Sequence, residues 1–309
     1  MKALITAAIR FVVFHLPRGV REALFSACVE RIGLYPVFAR LRPQLRLVEV
    51  AANGDRGVIT GAADDMAVLP EYALSGTFSA SITALMTEFL RDSGGTFIDI
   101  GANIGLTVIP FARMPGVHCL AFEPEPRNFN FLRRNVARNA PDASIELHQV
   151  APFHSRSQLS LAIAEDNLGD HRVTLGGVPG RRSIAIEAFP LDDFAASVRG
   201  KLAVKIDTQG AEPFVIAGGA AVLARASILA IEFCPYLMRQ LGGDPATVIA
   251  LIVGFERVAV MPGGVTETPV FVTPQQAQAM LRHKVETATD SDGDYVDILA
   301  VRSARGVPA

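Results

Sequence analysis

The sequence predicts an α/β fold, a mostly parallel sheet with helices on both faces, and three observations carry that prediction. The first is Thr96 to Gly105 (TFIDIGANIG), where an apolar run at Phe97, Ile98 and Ile100 stops abruptly at a glycine turn. A strand buried on both faces ends in this way when it meets a ligand-binding turn. The second is recurrence: Val117 to Phe122 (VHCLAF), Leu202 to Asp207 (LAVKID) and Ile228 to Phe233 (ILAIEF) are apolar runs with a carboxylate at or beside their ends. The third is the order of the elements. Strand and helix patterns alternate, and three βα steps in succession mean a parallel sheet with right-handed crossovers.

The 309 residues are 50% hydrophobic and 19% charged, which describes a globular chain with a substantial core, and the net charge of −2 gives no global attraction to nucleic acid. Cys28, Cys119 and Cys234 lie far apart with no C-x-x-C pair, so neither a disulfide framework nor a zinc site is expected, and reduced thiols in the cytoplasm are the simplest reading. The histidines also lack metal-ligand spacing, and His118 and His148 read as satisfied core residues.

Taken from the N-terminus, Met1 to Leu16 is apolar but split by Arg10. It is too short to span a bilayer and no small-residue cleavage site follows before Pro17, so an amphipathic helix is expected. A second helical pattern places Val20, Leu24, Ala27, Cys28 and Ile32 on one face. Up to Arg46 this region holds seven arginines and Lys2 against Glu22 and Glu30. Such a basic stretch suits weak peripheral contact with an anionic membrane surface; a solvated helix face is the plainer reading and the favoured one. Leu45 to Val50 and Gly57 to Ile59 form a small hairpin around Asn53-Gly54, while Met66 to Tyr72 has a mixed pattern. Ile82 to Leu90 reads as a helix leading into the central strand, and the chain divides into an N-terminal extension, residues 1–74, and a main domain, 75–309.

Asp99 interrupts the central strand. A lone carboxylate there is costly unless something pairs with it, which points to a polar or cationic ligand at the strand tip. Gly101 and Gly105 flank Asn103, and Leu106, Val108, Ile109 and Phe111 follow as a helix. Glu123 then closes the second strand roughly 20 residues beyond the turn, the position from which βαβ nucleotide sites accept ribose hydroxyls. Pro126 opens a helix to about Asn139 with Phe129, Leu132 and Val136 inward and Arg127, Arg133, Arg134 and Arg138 outward. Ser144 to Val150 supplies a third strand, and Gln158 to Ile163 with Ser183 to Phe189 read as paired strands. The turn-rich segment between that pair suits a substrate-facing flap or a plain surface hairpin.

Lys205 and Asp207 are two apart in one strand and share a face, so their charges must pair with each other, with neighbours or with a ligand. Glu212 has a bland explanation in the dipole of the helix it opens. Asp207 has none, and Asp99, Glu123 and Asp207 therefore gather at one sheet edge with Glu232 close behind. Asp244 to Gly254 reads as a helix, Phe255 to Val260 as a sixth strand and Tyr295 to Val301 as the last.

At Asp99 to Gly105, Phe122-Glu123-Pro124, Lys205 to Glu212 (KIDTQGAE) and Ile231-Glu232-Phe233, the sequence resembles the FkbM family of S-adenosylmethionine-dependent methyltransferases, from about residue 75 to 254. The resemblance implies the class I methyltransferase fold, a Rossmann-like seven-stranded sheet with an antiparallel last strand, and methylation of a hydroxyl on a sugar, glycan or secondary metabolite. By position it implies that Asp99, Gly101, Asn103 and Gly105 hold the methionine end of S-adenosylmethionine, that Glu123 holds its ribose, and that Asp207 lies nearest the acceptor. One departure is Ser79, since family members often carry an acidic residue between Gly76 and Ser81.

The residues support that chemistry by themselves. A hydroxyl acceptor must be held in line and must lose its proton, and Asp207 is the candidate base, with ligand orientation as its alternative role. No metal is required by any spacing. Two rivals stand beside this reading. A nicotinamide-dependent oxidoreductase would use Glu123 in the same way, but the turn has Asn103 at the second glycine position of G-x-G-x-x-G and Leu106 at the third. A non-catalytic, membrane-peripheral module would use the basic N-terminus, and the strand-tip acids argue against it.

Overall fold

A computed structural model describes residues 49–263 and 268–302, in two compact units. The helices expected before residue 46, and the basic segment they carry, lie outside the described residues.

Residues 49–78 and 165–169 make up the described part of the first unit. Strands β1 (Glu49–Gly54) and β2 (Gly57–Ala62) pair antiparallel from Glu49↔Ala62 to Gly54↔Gly57. The hairpin is the expected one, but its turn is Asp55-Arg56 instead of Asn53-Gly54. Asn53 and Gly54 remain in the strand, and the positive φ of 85° falls on Gly57. Gly54 serves packing: a Cβ there would stand 2.4 Å from the Gly76 carbonyl oxygen. Helix α1 (Val68–Ser75) occupies the stretch with the mixed pattern. It begins where Asp65 accepts hydrogen bonds from the backbone N–H groups of Ala67 and Leu69, which supplies the partners that the first turn of a helix lacks. The Tyr72 hydroxyl then accepts from the Arg56 N–H and donates to the Gly57 carbonyl, fixing the helix on the hairpin turn.

The second unit begins with helix α2 (Ala80–Arg91) and then β3 (Gly95–Ile100), α3 (Val108–Ala112), β4 (Val117–Phe122), α4 (Pro126–Asn139) and β5 (Ser144–His148). In α4 the buried apolar stripe is Phe131, Leu132 and Val136, with Asn128 and Asn135 also buried. Phe131 thus takes the place expected for Phe129, which is half-buried. The strands β6 (Ala151–Pro152), β7 (Ser157–Ala162), β8 (Arg172–Thr174) and β9 (Ser183–Phe189) form a separate sheet in the order β6-β9-β7-β8.

After a 3-10 turn at Leu191–Ser197 come β10 (Leu202–Ile206), α5 (Glu212–Gly218), α6 (Ala220–Ala224), β11 (Ile228–Phe233), α7 (Pro235–Gln240) and α8 (Ala246–Leu251). The chain closes with β12 (Arg257–Pro262), β13 (Phe271–Val272), α9 (Pro274–Thr287) and β14 (Val296–Val301). The main sheet runs β13-β12-β14-β11-β10-β3-β4-β5. Strands β11, β10, β3, β4 and β5 are parallel, and β14 enters antiparallel between β11 and β12. The seven longer strands have the expected arrangement, and the two-residue β13 adds an eighth at the edge.

Apolar burial accounts for the order of the layers. Ile98, Ile100, Leu120, Val204, Ile206 and Ile231 of the central strands are at most 1% exposed and belong to the principal core. Burying one such side chain stabilises the fold by about 1.5–3 kcal/mol. Helix α9 joins this core through the buried Ala277 and Leu281 and the partly buried Val285, few apolar positions to announce it in the sequence. Its legible signal is a capping box, in which the Thr273 side chain accepts from the Gln276 N–H and Gln276 accepts from the Thr273 N–H.

The smaller sheet has its own core, in which Leu161, Val173, Ile186 and Phe153 meet Ala211 and Leu241. The Phe153 and Phe214 rings stack with centroids 4.7 Å apart. The strands expected to carry a flap are therefore anchored beside the segment that follows Asp207 in sequence.

Candidate functional site

All the strand-tip acids lie at the carboxyl edge of the central strands, the edge where ligands bind in open α/β sheets. Parallel pairing sets Asp99 on β3 opposite Lys205 on β10 and Ala121 on β4. Backbone bonds then tie the tips together: Gly101 and Ala102 both donate N–H to the Phe122 carbonyl (3.0 and 2.9 Å), and Asp207 N–H donates to Ile100 (3.0 Å).

The β3–α3 turn needs its glycines for two reasons. Gly101 has φ 87°, and a Cβ on it would lie 1.9 Å from the carbonyl oxygen of Asp207. Gly105 has φ 97°, with the Leu132 methyl 3.0 Å from where its Cβ would be. Between them Asn103 adopts the left-handed conformation, φ 49°, and donates its N–H to Glu123 Oε2 at 2.9 Å. Asn135 on α4 donates its amide to the Ile104 carbonyl at 2.8 Å, bracing the turn from behind.

Asp99 is fully buried, and neither of its carboxylate oxygens has a hydrogen-bond partner. Burial pushes its pKa up to about 6 even though the neighbouring Lys205 charge pulls the other way. Glu123 is 5% exposed; its Oε1 accepts from the Glu125 N–H and its Oε2 from Asn103. Burial outweighs those two bonds and raises its pKa to about 8. Both side chains are held ready at a cost that a ligand with suitable donors would relieve.

Lys205 and Asp207 pair as their shared face requires, Nζ to Oδ2 at 2.8 Å. Burial alone would discharge Lys205, but the Asp207 and Asp99 carboxylates reverse that and raise its pKa. Asp207 is the more open of the two, its side chain 31% exposed against 12% for the lysine. Burial, with Asp207 next, raises the pKa of Glu232.

Two residues to which the sequence reading gave no part in the site lie beside these acids. Gln209, with φ 55°, donates its amide to Asp207 Oδ1 at 3.0 Å and to Glu232 Oε1 at 2.8 Å. Glu212, 1% exposed, accepts from the Thr208 N–H, the Thr208 hydroxyl and the Gly210 N–H, so it holds the loop after β10 as well as opening α5. An acid five residues after a strand-tip acid was the available signal. His118 is satisfied by Ser144 and Glu146, as a core histidine should be. Cys119 and Cys234 are free, buried thiols, and the described residues contain no group able to hold a metal ion. None of the described helices is long and apolar enough to cross a membrane.

The 2-O-methyltransferase NoeI of Sinorhizobium fredii (strain NBRC 101917 / NGR234) is 25% identical over 203 residues, which cover 61% of this chain and 84% of that protein. Among solved structures, the O-methyltransferase from Bacillus cereus in complex with SAH superposes with a TM-score of 0.37 at 12% identity, covering 72% of this chain and 80% of that one. Precorrin-6y C5,15-methyltransferase from Geobacter metallireducens GS-15 gives a TM-score of 0.35 at 14% identity, with 72% and 88% covered. The methyltransferase FkbM domain matches residues 99–253, about half of the chain, a span that runs from Asp99 through Glu123 and Asp207 to Glu232. The chain belongs to the FkbM family of S-adenosylmethionine-dependent methyltransferases.

Proposed function

We propose that this protein is an O-methyltransferase that moves a methyl group from S-adenosylmethionine to a hydroxyl of a sugar, glycan or secondary metabolite, with residues 75–309 as the methyltransferase domain and 1–74 as an extension. The observation that carries the reading is Asp99: a carboxylate fully buried at a strand tip, with both oxygens free of hydrogen bonds, behind a turn that only glycine can make at 101. An ammonium group is the ligand chemistry that such a carboxylate suits. The methionine end of S-adenosylmethionine carries one, and Asp99, Gly101, Asn103 and Gly105 would hold it, while Glu123 would take the ribose hydroxyls on the acceptor capacity its two backbone bonds leave over. When bound, the cofactor supplies a methyl group already activated on a sulfonium sulfur.

The remaining work falls to the chain itself. Holding the acceptor in line supplies up to roughly 7–11 kcal/mol. Asp207, partly exposed and steadied by Lys205, accepts the hydroxyl proton on its carboxylate, a role that typically contributes about 10²–10⁴-fold. Acceptor choice falls to the smaller sheet, whose core reaches Ala211 beside the Asp207 loop. A relative named as a 2-O-methyltransferase supports a hydroxyl acceptor.

Calorimetric titration with S-adenosylmethionine, S-adenosylhomocysteine and NAD tests the proposal. Micromolar binding of the two sulfur ligands, lost in Glu123→Ala and absent for NAD, is expected. Binding of NAD alone would overturn it in favour of an oxidoreductase.

A further inference from the structure

We propose that Gln209 is a positioning residue for the transfer reaction, its side-chain amide spanning Asp207 and Glu232 and setting the direction in which Asp207 meets the acceptor hydroxyl. The proposal rests on the reading of Asp207 as proton acceptor and deepens it.

Three observations lead to it. The first is conformational: among the described residues only Ser79, Asn103 and Gln209 are non-glycine with positive φ. Such a residue costs roughly 1–2 kcal/mol and persists where its surroundings hold it in place. Asn103 belongs to the cofactor turn, and Gln209 at φ 55° occupies the matching place in the loop after β10. The second is how that loop is held. Glu212 binds the N–H groups on either side, of Thr208 and of Gly210, while Gly210 sits so tightly that a Cβ would meet the Leu237 carbonyl oxygen at 2.7 Å. With the backbone clamped at both neighbours, the strained residue between them is turned back over the strand tips.

The third is chemical. The Gln209 amide gives one contact to Asp207 Oδ1 at 3.0 Å and one to Glu232 Oε1 at 2.8 Å. Only a primary amide combines two N–H donors on one nitrogen with no charge of its own, and the reversed orientation would aim its oxygen at two carboxyl groups. A lysine at 209 would neutralise the base. A glutamate would add another acid to a region where Lys205 is the cation that faces Asp99, Asp207 and Glu232. With Lys205 on Asp207 Oδ2 and Gln209 on Oδ1, the carboxylate plane is fixed by one donor on each oxygen, and one lone pair on each remains for the acceptor.

The test uses the full chain with Gln209→Gly, because glycine adopts φ 55° without strain and keeps every backbone contact while removing only the amide. A role confined to the backbone would leave the variant active. The expected result is a melting temperature within a few degrees of wild type, unchanged affinity for S-adenosylmethionine, a kcat lower by at least about tenfold and a KM for the acceptor changed by less than about threefold, with Gln209→Asn, one methylene short, failing to rescue. Carboxyl ¹³C NMR gives an independent readout: donors favour the charged form, so the Glu232 titration should move to higher pH in the variant. The other charged groups facing the pair are Lys205 on β10, Asp99 on β3, Glu212 at the start of α5 and Asp297 on β14. An unmoved Glu232 titration would overturn the bridge itself. A moved Glu232 titration with kcat within about twofold of wild type would keep the bridge and overturn its part in the reaction. A wild-type protein that binds S-adenosylmethionine yet methylates no hydroxyl acceptor would defeat the reading of the reaction, and the positioning role with it.

Discussion

Gly101 and Asp207 approach so closely that a single methyl group cannot be placed between them: a Cβ at 101 would lie 1.9 Å from the Asp207 carbonyl oxygen. The turn assigned to the cofactor and the loop assigned to the proton acceptor are thus one packed unit. Gly101→Ala should push β3 and β10 apart at their tips and also place alanine at φ 87°. A loss of at least about 2 kcal/mol in stability is expected. Thermal melting and calorimetry should show both a lower Tm and no measurable S-adenosylmethionine binding.

Asp207→Asn keeps the shape of the side chain and removes its capacity to take a proton. Turnover at saturating acceptor should fall by about 10²–10⁴-fold with cofactor affinity within a few-fold of wild type. Near-wild-type turnover would leave Asp207 with ligand orientation alone.

Glu123 has its pKa pushed up to about 8 by burial, so at pH 7 the ligand-free protein carries it largely protonated. Hydroxyl donors arriving from a ribose favour the charged form. Cofactor binding at pH 7 should therefore release a proton, seen as a binding enthalpy that differs between phosphate and Tris buffers by an amount tracking buffer ionisation. The difference should vanish above about pH 9, where the carboxylate is already ionised.

Asp99 is raised from near 4 to about 6 by burial. An acid raised on folding binds its proton more tightly in the folded state, so its contribution to stability is complete below the unfolded value and is lost as pH rises through the folded one. Asp99→Asn should be more stable than wild type at pH 8, by at most about 3 kcal/mol, with the gap closing by pH 4. Melting curves across that range decide it, and a gap that widens toward acid would contradict the assignment.

Much of the fold could be read from the residues because its strands are buried on both faces and end in glycine or acid. The strand from Val117 to Phe122, that from Ile228 to Phe233 and the helix from Pro126 to Asn139 have the bounds that their apolar runs and proline suggest. What escaped depends on contacts between distant segments. Gly54 looks like a turn glycine because follow-on packing against Gly76 leaves no local trace. Helix α9 shows little more than a cap, since Ala277 and Leu281 meet a core already filled by other elements. At the site, Asp99, Glu123 and Asp207 stood out as acids at the ends of apolar runs. Gln209 did not, because a neutral amide in a turn is unremarkable until both of its carboxylate partners, one of them on another strand, are in place.

The Thr96 side chain exchanges hydrogen bonds with the Arg199 backbone at 2.7 Å across 103 residues of sequence. Strands β3 and β4, by contrast, are neighbours in the chain. Closing the longer loop costs more entropy and delays the contacts that depend on it. Assembly of the protein should accordingly be staggered, with the turn from Gly101 to Gly105 and the Glu123 tip gaining their form first. The Asp207 loop follows once the intervening small sheet has brought β10 home. Pulse-labelled hydrogen exchange during refolding should find the Asn103 amide protected before that of Asp207, so a newly made chain would hold its cofactor cradle before it could react.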